Sequence, residues 1–377
     1  MSRIAFISAV ENYFWGGSEE LWSQVALRMA QQGVTVGANV THNARTPEPL
    51  RALIDAGGAV TWRPDAGSSS LLGRASRHFQ PDKIYRWLDS FQPDFAFISQ
   101  GTNLDGYKWM RECARRKIPF VTVAQSASEV AWPHSEMATE IAEGYEAAQA
   151  CFFVSRSNME LTRRQLARPL PNAQVVRNPF NVSYDAAPSW PASDPVWKLA
   201  CVGRLEPNSK GQDILFEVLQ DEAWRQRPIE VTLFGRGFHT ENVLALKQMM
   251  GLEKVTYGGF TEDVESIWAS HHALVLPSRS EGLPLVVVEA MLCGRPAIVT
   301  DVAGNAELLQ DGVSGFVAAA AAPKCLAEAM ERAWQRRSEW QEMGQAAALR
   351  VRKLVPRDPV ETFLQTLQPL MPGRSTG

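Results

Sequence analysis

Short apolar runs alternate with longer amphipathic stretches along almost the whole chain. In the first half, Arg3–Ser8, Thr35–Val40, Ala59–Trp62, Phe95–Ser99, Phe120–Ala124, Cys151–Val154 and Gln174–Val176 have the length and composition of buried strands. Between them, Ser18–Gln32, Pro81–Phe91, Tyr107–Arg116, Met137–Ala148 and Arg156–Ala167 read as helices. Strands alternating with helices of this length predict a parallel, doubly wound sheet.

The segment Tyr184–Val196, YDAAPSWPASDPV, breaks the pattern with three prolines. Proline blocks helix interiors and central strands, so this stretch reads as a linker. The alternation then restarts. Strands are predicted at Leu199–Val202, Glu230–Phe234, Lys254–Tyr257, Ala273–Leu276, Ala297–Thr300 and Gly315–Val317. Helices are predicted at Gln212–Gln220, Thr240–Met249, Asp263–Ala269, Pro284–Leu292, Pro323–Gln335, Glu339–Leu354 and Asp358–Leu370. The fold class is therefore α/β, with two Rossmann-like domains: residues 1–185 and 197–354, joined by a linker at 184–196. Residues 355–377 form a C-terminal helical segment. Ligands of such sheets bind outside the carboxyl ends of the strands.

The length of 377 residues agrees with two domains. With 45% apolar and 21% charged residues, the chain is ordinary for a globular protein. The net charge of −3 lacks the basic excess of a general nucleic-acid binder. The five cysteines are scattered, with no C-x-x-C and no zinc spacing, which suits buried free thiols in a reducing cytosol. No apolar run reaches the roughly 18 residues of a membrane span. The expected location is cytoplasmic. Basic residues on the predicted helices of the first half (Arg74, Arg77, Lys83, Arg86, Arg111, Arg115, Arg116 and Lys117) would suit a weak peripheral contact with the inner face of a membrane. Residues 1–185 nevertheless hold 19 basic and 18 acidic side chains, a balance that favours a solvated face.

The strongest chemical signal is LPSRSEGLPLVVVEAMLCG, Leu276–Gly294. A buried strand gives way to a polar loop and then to a helix opening at Pro284. The free N–H groups and dipole of a helix start attract phosphate. Glu281 lies in the loop, where a carboxylate can face a sugar. Glu289 lies within the helix, where it can accept from a ribose diol; the alternative is a surface charge. Upstream, VGRLEPNSKGQ places Arg204 and Lys210 after a strand, where a guanidinium and an ammonium could clamp a diphosphate. Gly16 and Gly17 follow the first strand and precede a helix that Ser18 or Glu19 would cap. They allow a backbone to approach phosphate, or simply make a tight turn. No G-x-G-x-x-G accompanies them, which argues against a nicotinamide cofactor. Gly235-Arg-Gly237 is a second candidate turn. No D-x-D pair is present to hold a divalent metal. The adjacent His271 and His272 are poorly placed to chelate one ion and read as a helix end.

Glu281 and Glu289 form an E-x7-E pair inside EGLPLVVVEAMLCGRP. Together with Pro296, Asp301, Gly304, Asn305, Glu307, Asp311, Gly312 and Gly315, this resembles glycosyltransferase family 4, retaining enzymes of the GT-B fold. The likeness is dense in the C-terminal half and thin in the N-terminal half. It implies two Rossmann-like domains facing across a cleft, and a last helix that crosses back to the first domain. It also implies metal-independent transfer of a hexose from a nucleotide diphosphate sugar, a co-substrate rather than a cofactor. The acceptor would be a glycan, a lipid-linked or a small-molecule hydroxyl, and the setting cell-surface glycan or glycoconjugate synthesis. On this resemblance Glu281, Arg204 and Lys210 are catalytic. Gly16, Gly17, Gly235, Phe260, Gly282, Leu283, Leu285 and Glu289 bind the donor. Gly258-Gly259-Phe260-Thr261 would lie beside the nucleobase, with a packing loop as the alternative.

On the acceptor side, family members carry a histidine after the strand equivalent to Phe120–Ala124. Here Gln125 stands in its place, and His134 is nine residues on. Gln125 can hydrogen-bond a sugar hydroxyl but cannot act as a charged acid. Glu129 and His134 are either polar contacts or exposed loop residues. Of the twelve tryptophans, Trp15 and Trp132, with Tyr13 and Phe14, lie where a ring could stack on a sugar or pack beneath a loop; the other ten need no role beyond packing. Two other readings remain open, a nucleotide-sugar epimerase of the same fold and a non-catalytic sugar- or nucleotide-binding relative.

Overall fold

The computed structural model describes residues 2–10, 15–42, 45–64, 84–192 and 196–372. The chain divides into two compact units, one of Met1–Pro179 with Asp358–Gly377 and one of Phe180–Arg357. The division thus falls at Pro179/Phe180, upstream of the expected boundary at 185. The expected linker segment belongs to the second unit, where Arg295 holds the carbonyl of Ser189 over 2.6 Å.

Among the described residues the first unit contains β1 (Arg3–Ser8), β2 (Thr35–Thr41), β3 (Ala59–Arg63), β4 (Phe95–Gln100), β5 (Phe120–Ala124), β6 (Ala150–Phe153) and β7 (Ala173–Val175). They form one parallel sheet in the order β3-β2-β1-β4-β5-β6-β7. The second unit contains β8 (Trp197–Val202), β9 (Ile229–Phe234), β10 (Val255–Gly259), β11 (Ala273–Leu276), β12 (Ala297–Thr300) and β13 (Gly315–Ala318). Its parallel order is β10-β9-β8-β11-β12-β13. Each sheet reverses its winding at its first strand. β1 lies between β2 and β4, and β8 lies between β9 and β11. Such switch points open a crevice at the carboxyl ends of the strands.

The central strands β4, β5, β6, β11 and β12 are buried at every position. Helices cover both faces of such a sheet, which is why these strands read as unbroken apolar runs. Each unit has its own core. In the first, Ile7, Ile98, Phe120 and Phe153 pack with Met110 and Tyr145. In the second, Leu199, Val231 and Val275 pack with Phe216, Met330 and Trp340. The helix Gly17–Gln31 buries Leu21, Trp22, Val25, Ala26, Met29 and Ala30, a stripe recurring every three to four residues. Its N-cap is Gly16, with no side-chain cap, rather than Ser18 or Glu19. The Glu19 carboxylate turns inward instead and accepts from Trp22 Nε1 over 2.9 Å. The short helices Glu48–Asp55, Pro207–Lys210, Glu222–Gln226 and Asn305–Leu308 give too few turns for a period to show in sequence.

The C-terminal helix Pro359–Leu367 is part of the first unit. Asp358 caps it by accepting from the Glu361 N–H over 2.9 Å, and the same carboxylate pairs with Arg28 at 2.9 Å. Phe363 sets its ring edge-on to Phe97 and Phe152, with centroids 5.8 and 4.8 Å away. The basic residues of the Tyr107–Arg115 region are largely neutralised. Arg116 pairs with Asp89 and Glu112, Arg115 with Glu112, and Arg111 with Glu140. Arg74, Arg77 and Lys83 lie outside the described residues, as do Tyr13 and Phe14. Among the described residues no helix is long and apolar enough to cross a membrane.

Candidate active site

The loops after β8 and β11 meet at the switch point of the second sheet. The N–H groups of Arg279 and Ser280 both donate to the Ser209 carbonyl, over 2.8 and 3.1 Å. The Arg279 guanidinium reaches the Pro207 carbonyl and both carboxylate oxygens of Asp213. Gly211 turns the chain with φ +65°, and a Cβ there would fall on the Pro277 carbonyl oxygen. Only glycine allows this approach without strain.

The docked loops bring Lys210 against Glu281, with Nζ 2.6 Å from Oε1. The same oxygen accepts from Ser278 Oγ over 2.6 Å. Thr300 Oγ1, at the end of β12, donates to the Ser278 carbonyl over 2.6 Å and so braces the loop. Glu281 is buried, 7% exposed, so this is a confined ion pair rather than a mobile surface one. Both internal donors converge on Oε1, and no described residue bonds Oε2. Arg204 is half-exposed and lies 3.4 Å from the Glu206 carboxylate, while its carbonyl accepts from Gln212 Nε2 over 2.8 Å.

The helix Leu285–Leu292 is buried on nearly every side, with Pro284 as its N-cap. Glu289 is therefore not a surface charge; it is 4% exposed. Its Oε1 accepts from the Asn181 N–H over 2.9 Å and from Asn181 Nδ2 over 3.0 Å. Burial raises its carboxyl above the usual range, against the opposing pull of those two bonds. Leu283 is buried and Leu285 half-buried at the helix start. The Gly282 carbonyl accepts from the Gly304 N–H over 3.0 Å.

Gly235 is committed within the fold. At φ +126° a Cβ would fall on the Gly203 carbonyl oxygen, so this glycine lets the loops after β8 and β9 touch. Its N–H donates to the Gly259 carbonyl over 2.7 Å. Phe260 is 54% exposed, and the Arg236 guanidinium stacks 4.4 Å from its ring centre. His271 and His272 are buried at a helix end, as the sequence suggests. His272 Nδ1 accepts from the Lys198 N–H over 3.0 Å, and burial pushes its pKa down to about 4. Among the described residues no group of three or more His, Cys, Asp or Glu is arranged to hold a metal.

The remaining candidates lie on the first unit. Gly16 and Gly17 are exposed at the start of the Gly17–Gln31 helix. Trp15 leans on Trp22, with centroids 5.7 Å apart, and donates from Nε1 to Glu20 over 2.8 Å. Gln125, just past β5, is buried and accepts at Oε1 from Asn178 Nδ2 over 2.6 Å. Its Nε2, a pair of N–H donors, makes no hydrogen bond among the described residues. Trp132 is 59% exposed and donates to the Glu129 carbonyl over 2.8 Å. His134 caps the helix Ser135–Ala147, accepting from the Met137 N–H. One feature of this end escapes a sequence reading. Glu19 is buried beside Arg63 and Ser8, with Oε1 unpartnered, and burial pushes its pKa up to about 7. Arg63 is itself buried and holds the carbonyls of Ser8 and Asn39.

Ser278, Thr300, Asn178 and Asn181 are the polar residues that sequence reasoning passed over, and Glu19 reads there as a cap. Thr300, Asn178 and Asn181 act through partners distant in the chain, and Ser278 through its burial beside Glu281.

Two tandem Rossmann-like units with parallel sheets of seven and six strands have the GT-B architecture. Residues 197–336 match the family model of group 1 glycosyl transferases. An uncharacterised glycosyltransferase of Methanocaldococcus jannaschii is 34% identical over 128 residues, 34% of this chain and 35% of that one. The alpha-D-kanosaminyltransferase of Streptomyces kanamyceticus is 32% identical over 134 residues, 35% and 34% of the two chains. The match thus spans about a third of the length of these curated relatives. The crystal structure of HepE from Anabaena with UDP and glucose superposes with a TM-score of 0.72 at 17% identity, covering 97% of this chain and 99% of that one.

Proposed function

We propose that the protein is a retaining, metal-independent hexosyltransferase. It moves a hexose from a nucleotide diphosphate sugar to an acceptor hydroxyl in cytoplasmic glycan or glycoconjugate synthesis. The observation that carries this reading is the buried Lys210–Glu281 pair at the switch point between β8 and β11, inside the matched region. The UDP and glucose held by HepE support a nucleotide-sugar donor.

Departure of a nucleoside diphosphate builds negative charge on its oxygens. A preorganised cation near that charge lowers the barrier, because the protein need not reorganise as the bond breaks. Lys210 supplies the cation at the strand ends, and Arg204 adds a planar, bidentate donor. The N-terminus of the Leu285–Leu292 helix contributes its partial positive charge. Glu281 holds the reacting sugar through the oxygen not used by Lys210 and Ser278. Glu289 accepts from the ribose. The acceptor oxygen bonds to the anomeric carbon as the bond to the diphosphate breaks, and its proton passes to the departing phosphate oxygen on the same face. No covalent glycosyl-enzyme is invoked, so no second carboxylate nucleophile is needed.

The test is incubation with UDP-, GDP- and ADP-sugars and a glycan extract, followed by NMR of the products. Transfer by wild type that survives Glu281→Ala or Lys210→Ala at full rate would contradict the site. Conversion of a donor without any acceptor would replace transfer by epimerisation.

A further inference from the structure

Glu289 poses a problem that the fold has to solve. A ribose diol presents two O–H donors, so its partner should be an acceptor-only carboxylate. Yet Glu289 is buried in an apolar helix, and burial favours the protonated acid, which carries a donor of its own. Two bonds oppose this, and both come from one residue. The Asn181 N–H and side-chain amide each donate to Oε1, over 2.9 and 3.0 Å. Spending both on the same oxygen fixes the rotamer and leaves Oε2 for a ligand.

Among the described residues, the two Asn181 bonds are what oppose burial at this carboxylate. On the same helix side, the Cys293 thiol is one turn on, and burial pushes its pKa up to about 12, so it is neutral. Glu265, from the Val264–Ser270 helix, accepts from the Ser183 N–H over 2.6 Å. From the Trp340–Leu354 helix, Arg352 spends its donors on the carbonyls of Tyr184, Ala186 and Leu292. Arg350, from the same helix, spends its own on Leu308 and Glu307. In the loop before Glu289's helix, Glu281 is paired with Lys210. Asn181 itself is anchored downstream, because Glu265 holds Ser183 and the Tyr184 hydroxyl donates to the Arg352 carbonyl over 2.8 Å.

We infer that Asn181 is a positioning residue of the donor site: it holds Glu289 in the orientation and the charged form that a ribose diol requires. This rests on the assignment of Glu289 to the donor ribose in the proposed function.

The test is calorimetric titration of wild type with UDP-glucose, GDP-mannose and ADP-glucose between pH 5.5 and 8.5. The diphosphate of these donors does not itself titrate in that range. Wild type should bind one of them and lose affinity on the acid side. In Asn181→Ala the midpoint of that loss should move up by about one pH unit, the effect of one lost hydrogen bond to a charged group. Binding should be weakened more at the acid end of that range than at the alkaline end, by up to about 10-fold where the carboxyl is protonated in both proteins. Glu289→Gln should have no acid limb, and adding Asn181→Ala to it should shift nothing further. An unmoved midpoint in Asn181→Ala would overturn the inference and leave the proposed function standing. If Asn181→Ala does not fold, an acid limb that persists in Glu289→Gln overturns it instead. Wild type that binds none of the three donors overturns the proposed function and this inference together.

Discussion

The two sheet ends are built on one architecture and handle their carboxylates in opposite ways. At the second unit's switch point, Glu281 and Glu289 each receive two internal donors on a single oxygen. The other oxygen of each is uncommitted among the described residues. At the first unit's strand ends, Glu19 is turned inward against Trp22, beside Arg63 and Ser8, and its spare oxygen is buried. Among the described residues there, Gln125 Nε2 makes no hydrogen bond, Trp132 is exposed, and the turn at Gly16 carries no side chain. A switch point supplies a crevice, but loop chemistry decides whether it can manage charge. On the proposed function, the second unit's end serves the anionic diphosphate of the donor and the first unit's end, the neutral end, the acceptor hydroxyl.

The largest expected effect tests the charged end. Lys210→Ala should cost on the order of 100-fold or more in kcat, the scale for losing a preorganised group at developing charge. Because the variant leaves Glu281 buried and less well paired, it will also lose stability, so the rate is compared below both melting temperatures; a full rate in folded Lys210→Ala would mean that Lys210 serves the fold alone.

Next come the glycines that let the loops meet. Gly211→Ala should destabilise by about 3 kcal/mol or more, because its Cβ would fall on the Pro277 carbonyl at a backbone angle that alanine resists. Denaturant unfolding measures this. A neutral result would show that the loops after β8 and β11 can close in another way.

Glu19 gives an effect of similar size with a distinct pH signature. Its folded pKa of about 7 lies above the ordinary carboxylate value of 4.5. Between those values the native state binds more protons than the unfolded state, so stability falls as pH rises through the window. Glu19→Gln should therefore be more stable than wild type at pH 8, by a few kcal/mol in order of magnitude, and the gap should close toward pH 4.5. A gap independent of pH would mean that Glu19 is not held as described.

The smallest effect falls on the neutral end. Trp132→Ala removes an exposed ring and should change stability by no more than about 0.5 kcal/mol. Acceptor KM should rise while donor KM stays fixed. A change in donor KM would blur the division of labour between the two units.

The architecture was legible because its signals are local. β1, β5, β11 and β12 have the bounds that the sequence pattern predicts, since strands buried on both faces are largely apolar. The meeting of Lys210 and Glu281 was also legible, since both stand in short segments that follow strands, and the crevice rule places such segments together. Their bracing was not legible. Ser278 is one of many serines, and Asn181 is 108 residues from the carboxylate it serves. The neutral end was harder still. Gln125 and Asn178 are 53 residues apart, and an amide pair has no signature in composition or spacing. Gly235 was read as a donor contact, but its lack of a side chain is already required by the Gly203 carbonyl. Glu19 was read as a cap because an acidic residue at a helix start usually is one; only the packing of Trp22 shows it turned inward.

The central claim is that the second unit's strand ends form an anion site organised by Lys210. Its most direct test is donor binding, by calorimetry or saturation-transfer NMR, to wild type and Lys210→Ala at matched pH and salt. The account predicts that wild type binds one nucleotide diphosphate sugar and that Lys210→Ala binds it at least 10-fold more weakly, with the loss shrinking as salt rises. Equal binding by the two proteins would contradict it.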